Sequence, residues 1–238
     1  MKYILPILIL FCLVPSIASA ALADSLVSYW KFDSDNSTDS VGTNNGTDTS
    51  ITYNAGNGKI NNGAGFGGAS QIKTAMTGMS TFSTSVWFKF TTGDYLLSLR
   101  NAGNNANYNM TISGAPLKLH IGSWDGSSGD VAGATTLSTG TWYHAVGVFN
   151  GASSIVYLNG ASDGTGTLQT HTSGTDFWMG SNGGISYTTG AEDEVAIWSR
   201  ALTSGEVSTL YNGGAGNQYP FTEPSTTIYN FFSPLFFE

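Results

Sequence analysis

Three groups of residues have types and spacing that could do chemistry. The first is acidic: Asp33-Ser34-Asp35-Asn36-Ser37-Thr38-Asp39 near the start, and Asp193-Glu194 near the end. Calcium takes six to eight oxygens from carboxylates, amides and backbone carbonyls, and a polar loop with alternating Asp can supply them. The loop is not an EF-hand, because the sixth position from Asp33 is Thr38 rather than Gly and the twelfth is Asn44 rather than Glu. A solvated turn, with Asp193 or Glu194 paired to Arg200, is the plainer reading. The second group is Glu192 and Glu194, two residues apart, which an unbroken strand would place on one face about 6–7 Å apart. The third is aromatic. Sugar rings present apolar C–H faces that stack on Trp or Tyr, while Asn, Asp and backbone groups bind the hydroxyls. Trp124 sits in Gly122-Ser123-Trp124-Asp125-Gly126, a turn setting where a large apolar group either meets a ligand or folds back on the protein. Asp125 is its polar neighbour, and Tyr187, Tyr95 and Tyr108 lie near Gly/Asn-rich loops. His120, His144 and His171 are dispersed without metal-ligand spacing, and His144 reads as a buried, hydrogen-bonded strand residue. No Ser nucleophile elbow is present. Asn36, Asn45 and Asn109 stand in N-x-S/T sequons.

These residues must be positioned by strands. Gly, Ser, Thr and Asn make up 106 of the 238 residues and only 24 are charged, so a helical bundle is excluded. Thirteen Phe, eleven Tyr and six Trp supply a core and argue against disorder. Strand-like runs are Leu26–Asp33, Phe82–Phe90, Asp94–Arg100, Tyr108–Ser113, Leu117–Gly122, Thr141–Asn150, Ser154–Leu158, Phe177–Ser181 and Glu192–Ser199. Nine Asn-Gly or Asp-Gly steps offer the positive φ of tight turns between them. In 141–150, Trp142, His144, Val146 and Val148 alternate with Tyr143, Ala145, Gly147 and Phe149, so both faces are expected to be covered. One helix is expected: Thr203-Ser204-Gly205-Glu206 has capping-box spacing, Val207, Leu210 and Tyr211 follow at helical spacing, and Asn212-Gly213-Gly214 ends it.

The setting is extracellular. Lys2, the apolar run 4–17 and Ala18-Ser19-Ala20 form a secretory signal over residues 1–20, with Ala21-Leu22-Ala23 as a second cleavage pattern and an uncleaved anchor as the rival reading. Cys12, the one cysteine, lies inside it, so the mature chain has no disulfide. The net charge of −8 and the absence of any Lys/Arg cluster exclude a nucleic-acid or anionic-membrane footprint. The domain is expected over residues 24–216. Residues 217–238, with Pro220, Pro224, Pro234 and seven Phe or Tyr, form a partly mobile tail suited to docking on a protein partner or on the domain itself.

Several segments together resemble laminin-G-like, concanavalin A-like (pentraxin-like) jelly-roll domains. They are Leu26-Val27-Ser28-Tyr29-Trp30-Lys31-Phe32-Asp33, the loop Asp39-Ser40-Val41-Gly42 through Asn45-Gly46-Thr47, and Phe82-Ser83-Thr84-Ser85-Val86-Trp87-Phe88-Lys89. Thr141-Trp142-Tyr143-His144-Ala145-Val146-Gly147-Val148, Val156-Tyr157-Leu158-Asn159-Gly160 and Asp193-Glu194-Val195-Ala196-Ile197-Trp198-Ser199-Arg200-Ala201-Leu202-Thr203 follow in order. The resemblance implies an all-β fold: two antiparallel sheets in a jelly-roll sandwich with one short C-terminal helix. It implies recognition of carbohydrate or protein outside the cell, often with calcium, structural or ligand-bridging; Asp39 and Asp193 would be its ligands, brought together if the first and last strands are neighbours. It places Trp30, Trp87, Trp142 and Trp198 at packing positions. Related glucanases carry an E-x-D-x-x-E arrangement that Glu192 to Ile197 does not match. The expectation is a secreted or cell-surface, non-catalytic domain that binds a glycan or cell-surface polysaccharide, with Trp124, Asp125 and Tyr187 in its site. A structural or adhesive surface protein and a glycoside hydrolase are the alternatives.

Overall fold

The computed structural model describes residues 21–101, 103, 105–124, 128–151, 153–169 and 172–223. The signal segment with Cys12, Asp125, His171 and residues 224–238 lie outside the described residues. The described residues form fifteen strands: β1 Leu26–Trp30, β2 Thr47–Thr49, β3 Thr52–Asn54, β4 Gly63–Phe66, β5 Gln71–Ala75, β6 Thr81–Thr92, β7 Tyr95–Arg100, β8 Ala106–Ser113, β9 Lys118–Trp124, β10 Ser128–Ala132, β11 Tyr143–Asn150, β12 Ser153–Leu158, β13 Ala161–Gly166, β14 Asp176–Met179 and β15 Thr189–Trp198. They build two antiparallel sheets, an all-β jelly-roll sandwich. One sheet runs β13-β12-β11-β6-β15-β4-β3, with β1 also on β15; the other runs β10-β9-β8-β7-β14-β5-β2. The first and last strands of the domain are indeed neighbours: Trp30 faces Val195 and Tyr29 faces Ala196.

The core between the sheets is aromatic. Trp30 of the eight-stranded sheet stacks on Phe177 of the seven-stranded one at 5.7 Å between ring centroids, and Phe82 meets Tyr108 edge-on at 5.5 Å. Such pairs add about 0.5–1.5 kcal/mol to the area they bury. β11 is covered on both sides as its sequence implies: Tyr143, Ala145 and Phe149 join the central core, while Val146 and Val148 join a second cluster on the sheet's outer side. His144 is 2% exposed, its Nε2 lies 2.8 Å from the Ser85 hydroxyl, and burial lowers its pKa to about 3, so the ring is neutral.

The second cluster covers the outer face of the eight-stranded sheet. Helix α1, Ser204–Tyr211, begins at Thr203 with both capping-box bonds formed and ends at Asn212 in the left-handed conformation. It buries Val207 and Leu210 against Tyr29, Tyr157 and Trp198. Arg200 pairs with Glu206, at 2.6 and 3.0 Å, rather than with Asp193 or Glu194. The start of the C-terminal segment is part of this layer, not an appendage. Tyr219 and Phe221 lie 5.7 and 5.6 Å from the Tyr29 ring, and Gln218 bonds Asp33 and Glu194.

Candidate functional site

With one outer face sealed by helix and strap, the outer face of the seven-stranded sheet remains. Among the described residues no helix or strand layer covers it. Strand pairing sets its side chains in rows, because directly opposed residues share a face. One row is Asp130, Gly122, Asn109, Ser98, Trp178 and Lys73. The next is Ala132, His120, Thr111 and Tyr95. Trp124 and Ser128 pair one step further along.

Gly122 leaves the middle of this face low, and a hollow of about 370 Å³ results. Its lining includes Trp124, Tyr95, Arg100, Asn109, Thr111 and Asp130. Trp124 is 46% exposed, one of three exposed large apolar side chains among the described residues. The polar groups are held in place. Asp130 Oδ2 lies 2.7 Å from His120 Nδ1, and Arg100 Nη1 donates to the Asn182 carbonyl at 2.9 Å. The Ser98 hydroxyl donates to Asn109 Oδ1 at 3.0 Å, which leaves the Asn109 amide NH2 for a ligand. An aromatic wall beside fixed donors and acceptors can stack a sugar ring and bond its hydroxyls. A larger cleft, about 710 Å³, opens between residues 76–79 and 172–175, but uncharged residues such as Met76, Met79, Asn44 and Ser173 line it, and among the described residues no charged group lines it.

Trp124 therefore ends strand β9 rather than sitting in a free turn, and its side chain walls the hollow. Tyr187 does not line the hollow. It belongs to the 181–187 loop beside Trp178, which the Ser181 hydroxyl and Asn182 carboxamide fold by accepting from the amides of residues 183–186. Tyr108 is in the core, bonded to Thr84. Arg100, Asn109 and Asp130 escape sequence reading because only the β7–β8–β9–β10 register brings them together, and β10 carries no strand pattern. The lone turn tryptophan was the one legible signal.

The acidic residues are used elsewhere. Asp39 Oδ1 accepts the amides of Tyr29, Val41 and Gly42 at 2.9–3.0 Å, and Oδ2 accepts that of Asn44 at 3.1 Å. Burial opposes its charge, but the amides of Tyr29, Gly42 and Val41 outweigh it and lower the pKa. Gly42 is required by closeness: a Cβ there would lie 2.6 Å from the Val27 carbonyl. Asp193 Oδ2 accepts the amides of Lys59 and Ile60 at 2.8 and 2.9 Å, and Oδ1 that of Glu194. These two aspartates do not fit a calcium site. Each spends its carboxylate on backbone N–H groups of a different loop, and among the described residues no three His, Cys, Asp or Glu side chains converge on a metal position.

Nor do Glu192 and Glu194 share a face. Glu194 takes a left-handed φ of 53° where the β15–β6 register shifts between Asp193 and Ala196. That bulge turns its carboxylate outward, to the Tyr29 hydroxyl and Gln218, under the strap. Glu192 stays in the strand, opposite the core residue Phe88, and is 1% exposed. Burial raises the pKa of Asp193 and Glu194; the Glu194 charge adds to the rise at Asp193, and the Asp33 charge to the rise at Glu194.

The domain is thus a sandwich of two antiparallel sheets whose one outer face is covered by helix and C-terminal segment and whose other carries an aromatic and polar hollow. The sequence matches the family profile described as the concanavalin A-like lectin/glucanases superfamily over residues 62–208, and the chain belongs to that family. No curated protein matches the sequence. Domain 4 of AbnA, a GH43 extracellular arabinanase from Geobacillus stearothermophilus, solved with arabinotriose, is similar in structure. Its TM-score is 0.64 at 24% identity over 77% of this chain and 97% of that one. The binding domain of Paraclostridial Mosquitocidal Protein 1 gives 0.63 at 19% identity over 82% of this chain and 53% of that one. The binding domain of Botulinum Neurotoxin DC, solved with SialylT, gives 0.62 at 13% identity over 81% and 52%. The chain thus spans about half the length of those two toxin domains. These likenesses are of fold.

Proposed function

We propose that the chain is an exported, non-catalytic glycan-recognition domain whose ligand lies on the open face of the seven-stranded sheet, in the hollow walled by Trp124. The observation that carries this reading is a half-exposed tryptophan beside Asn109, Arg100 and Asp130, on an outer sheet face that among the described residues no helix or strand layer covers. Two similarly folded domains solved with arabinotriose and with SialylT support a sugar as the ligand class. The non-catalytic reading is supported by the acids: Glu192 is enclosed in the core, and Glu194 lies beneath the Tyr29 hydroxyl and Gln218. The alternative in which the C-terminal segment drives assembly loses Tyr219 and Phe221, which are spent on the protein's own Tyr29 and Trp198.

Screening the exported chain against a glycan panel identifies the ligand, and titration of the best hit then compares wild type with Trp124→Ala. A tryptophan platform at the centre of a site contributes about 2 kcal/mol, so affinity falls by about 30-fold while the melting temperature is unchanged. Equal affinity in the variant rejects the hollow as the site. Binding persists in chelator, because the Asp39 and Asp193 carboxylates are spent on four and three backbone amides; its disappearance in chelator would mean that a cation bridges protein and sugar.

A further inference from the structure

The hollow on the open sheet face differs at its two ends. Its lining comes from four adjacent strands, β7 to β10, which at ordinary strand spacing is about 14 Å across. β10 ends the sheet, and among the described residues no strand lies beyond it in that layer. Asp130 stands at this end with its side chain 55% exposed. The β7 end is shut. Leu97 and Leu99 enter the core, so Ser98 between them points outward, yet it is 0% exposed. One strand further, Trp178 also points outward, between the core residues Phe177 and Met179. Gly183 packs on its ring: a Cβ there would lie 3.4 Å from Trp178 Cε2.

The loop over residues 181–187 thus lies across the outer side of β14 and β7, and it is stiff. Ser181 and Asn182 accept four of its amides at 2.8–3.3 Å, and the Asn182 amide donates to the Ser186 carbonyl at 3.2 Å. It is also fastened to the hollow at two points. The Asn182 carbonyl accepts from Arg100, and the Thr188 hydroxyl donates to the Tyr95 carbonyl at 2.8 Å; Arg100 and Tyr95 both line the hollow.

We propose that the hollow is a blind groove that takes the end of a neutral glycan chain, its terminal ring against the 181–187 loop and the rest of the chain leaving past Trp124 and over the β10 edge. The inference rests on the hollow being the glycan site. A groove open at both ends admits any stretch of a chain, whereas one closed by a fixed loop admits only a terminus. The charge of the ligand follows from the entrance. Asp130 and a net charge of −8 disfavour an approaching anion, and Arg100 Nη1 is spent on the loop carbonyl.

Linear arabino-, xylo-, manno- and gluco-oligosaccharides of graded length are titrated into the full chain, and light scattering counts the protein molecules held by each chain of the series that binds. The expected count is one per chain at every length. A bulky label is then placed on the reducing end or, separately, on the non-reducing end; one of the two is expected to weaken binding about tenfold or more, and the other to leave it unchanged. A count that grows in proportion to chain length, no loss with either label, or no binding in any of the four series overturns the inference. Trp124→Ala separates this result from the underlying reading. Weakened binding in that variant together with a growing count rejects the blind end and keeps the hollow as the site; binding that ignores Trp124→Ala rejects the hollow, and the blind groove with it.

Discussion

Asp39→Ala lowers the unfolding free energy by about 3–5 kcal/mol. Four backbone amides, those of Tyr29, Val41, Gly42 and Asn44, converge on that one carboxylate. A hydrogen bond to a charged group is worth about 1.5–3 kcal/mol net, and the sum is less than additive because the freed loop can take up water. The loss begins on β1, whose Tyr29 amide is one of the four donors, and spreads to the loop over residues 39–46. Asp39→Asn keeps a carbonyl for the Oδ1 donors and costs about half as much. Urea unfolding at pH 7 measures both. The sign of the pH effect follows from the lowered pKa: the folded carboxyl holds its charge to lower pH than the unfolded one. Its stabilisation is therefore complete above the ordinary aspartate range and is lost as pH falls through the folded value. A variant as stable as wild type would show that the loop does not depend on this carboxylate.

The second large effect has the opposite sign of pH dependence. Glu192 is 1% exposed, neither carboxyl oxygen has a partner among the described residues, and burial raises its pKa well above the usual glutamate value. The Gly180 amide lies near enough to favour its charge slightly, but that amide donates to the Leu96 carbonyl at 2.7 Å. The folded protein thus keeps a proton that the unfolded chain releases. Below the unfolded pKa there is no penalty. Above it, stability falls by about 1.4 kcal/mol per pH unit until the folded carboxyl itself ionises. The raised Asp193–Glu194 pair acts in the same direction. Wild type is therefore more stable at pH 5 than at pH 8. Glu192→Gln is near neutral at pH 4.5, more stable than wild type at pH 8, and shows a flatter profile between. Unfolding curves at pH 4.5, 6 and 8 decide this; parallel profiles for the two proteins would mean that Glu192 is charged in the fold.

The parts of the fold that were legible in the sequence are those where side-chain pattern and burial agree. β6, β11 and β15 read as strands because alternating apolar residues meet a core on each side, and α1 read as a helix because Thr203 and Glu206 cap it locally. The short strands did not read. Thr47–Thr49 and Thr52–Asn54 bury almost nothing, Gly63–Phe66 has too few side chains to alternate, and Ala161–Gly166 carries no large apolar residue and is held by pairing with β12 and by Ala134 and Thr135 bonding Asp163. The site follows the same division. Trp124 was visible because one large apolar residue among Gly and Ser asks for a reason. Asp193 looked like a metal ligand because its partners, the amides of Lys59 and Ile60, stand over 130 residues away in the chain. The Glu194 bulge was invisible for a related reason: its left-handed backbone is fixed by Tyr29, Gln218 and the β6 register, none of them local.

Where the glycan sits is measured most directly by adding the best-binding oligosaccharide to isotopically labelled protein and following amide and side-chain NMR shifts. Perturbations are expected at the Trp124 indole N–H, the Asn109 carboxamide and the amides of Arg100, Gly122 and Asp130, with the sealed face around Tyr29 and α1 silent. Shifts confined to residues 76–79 and 172–175, with Trp124 and Asn109 unmoved, would contradict it and move the binding site to the cleft at the edge of the sandwich.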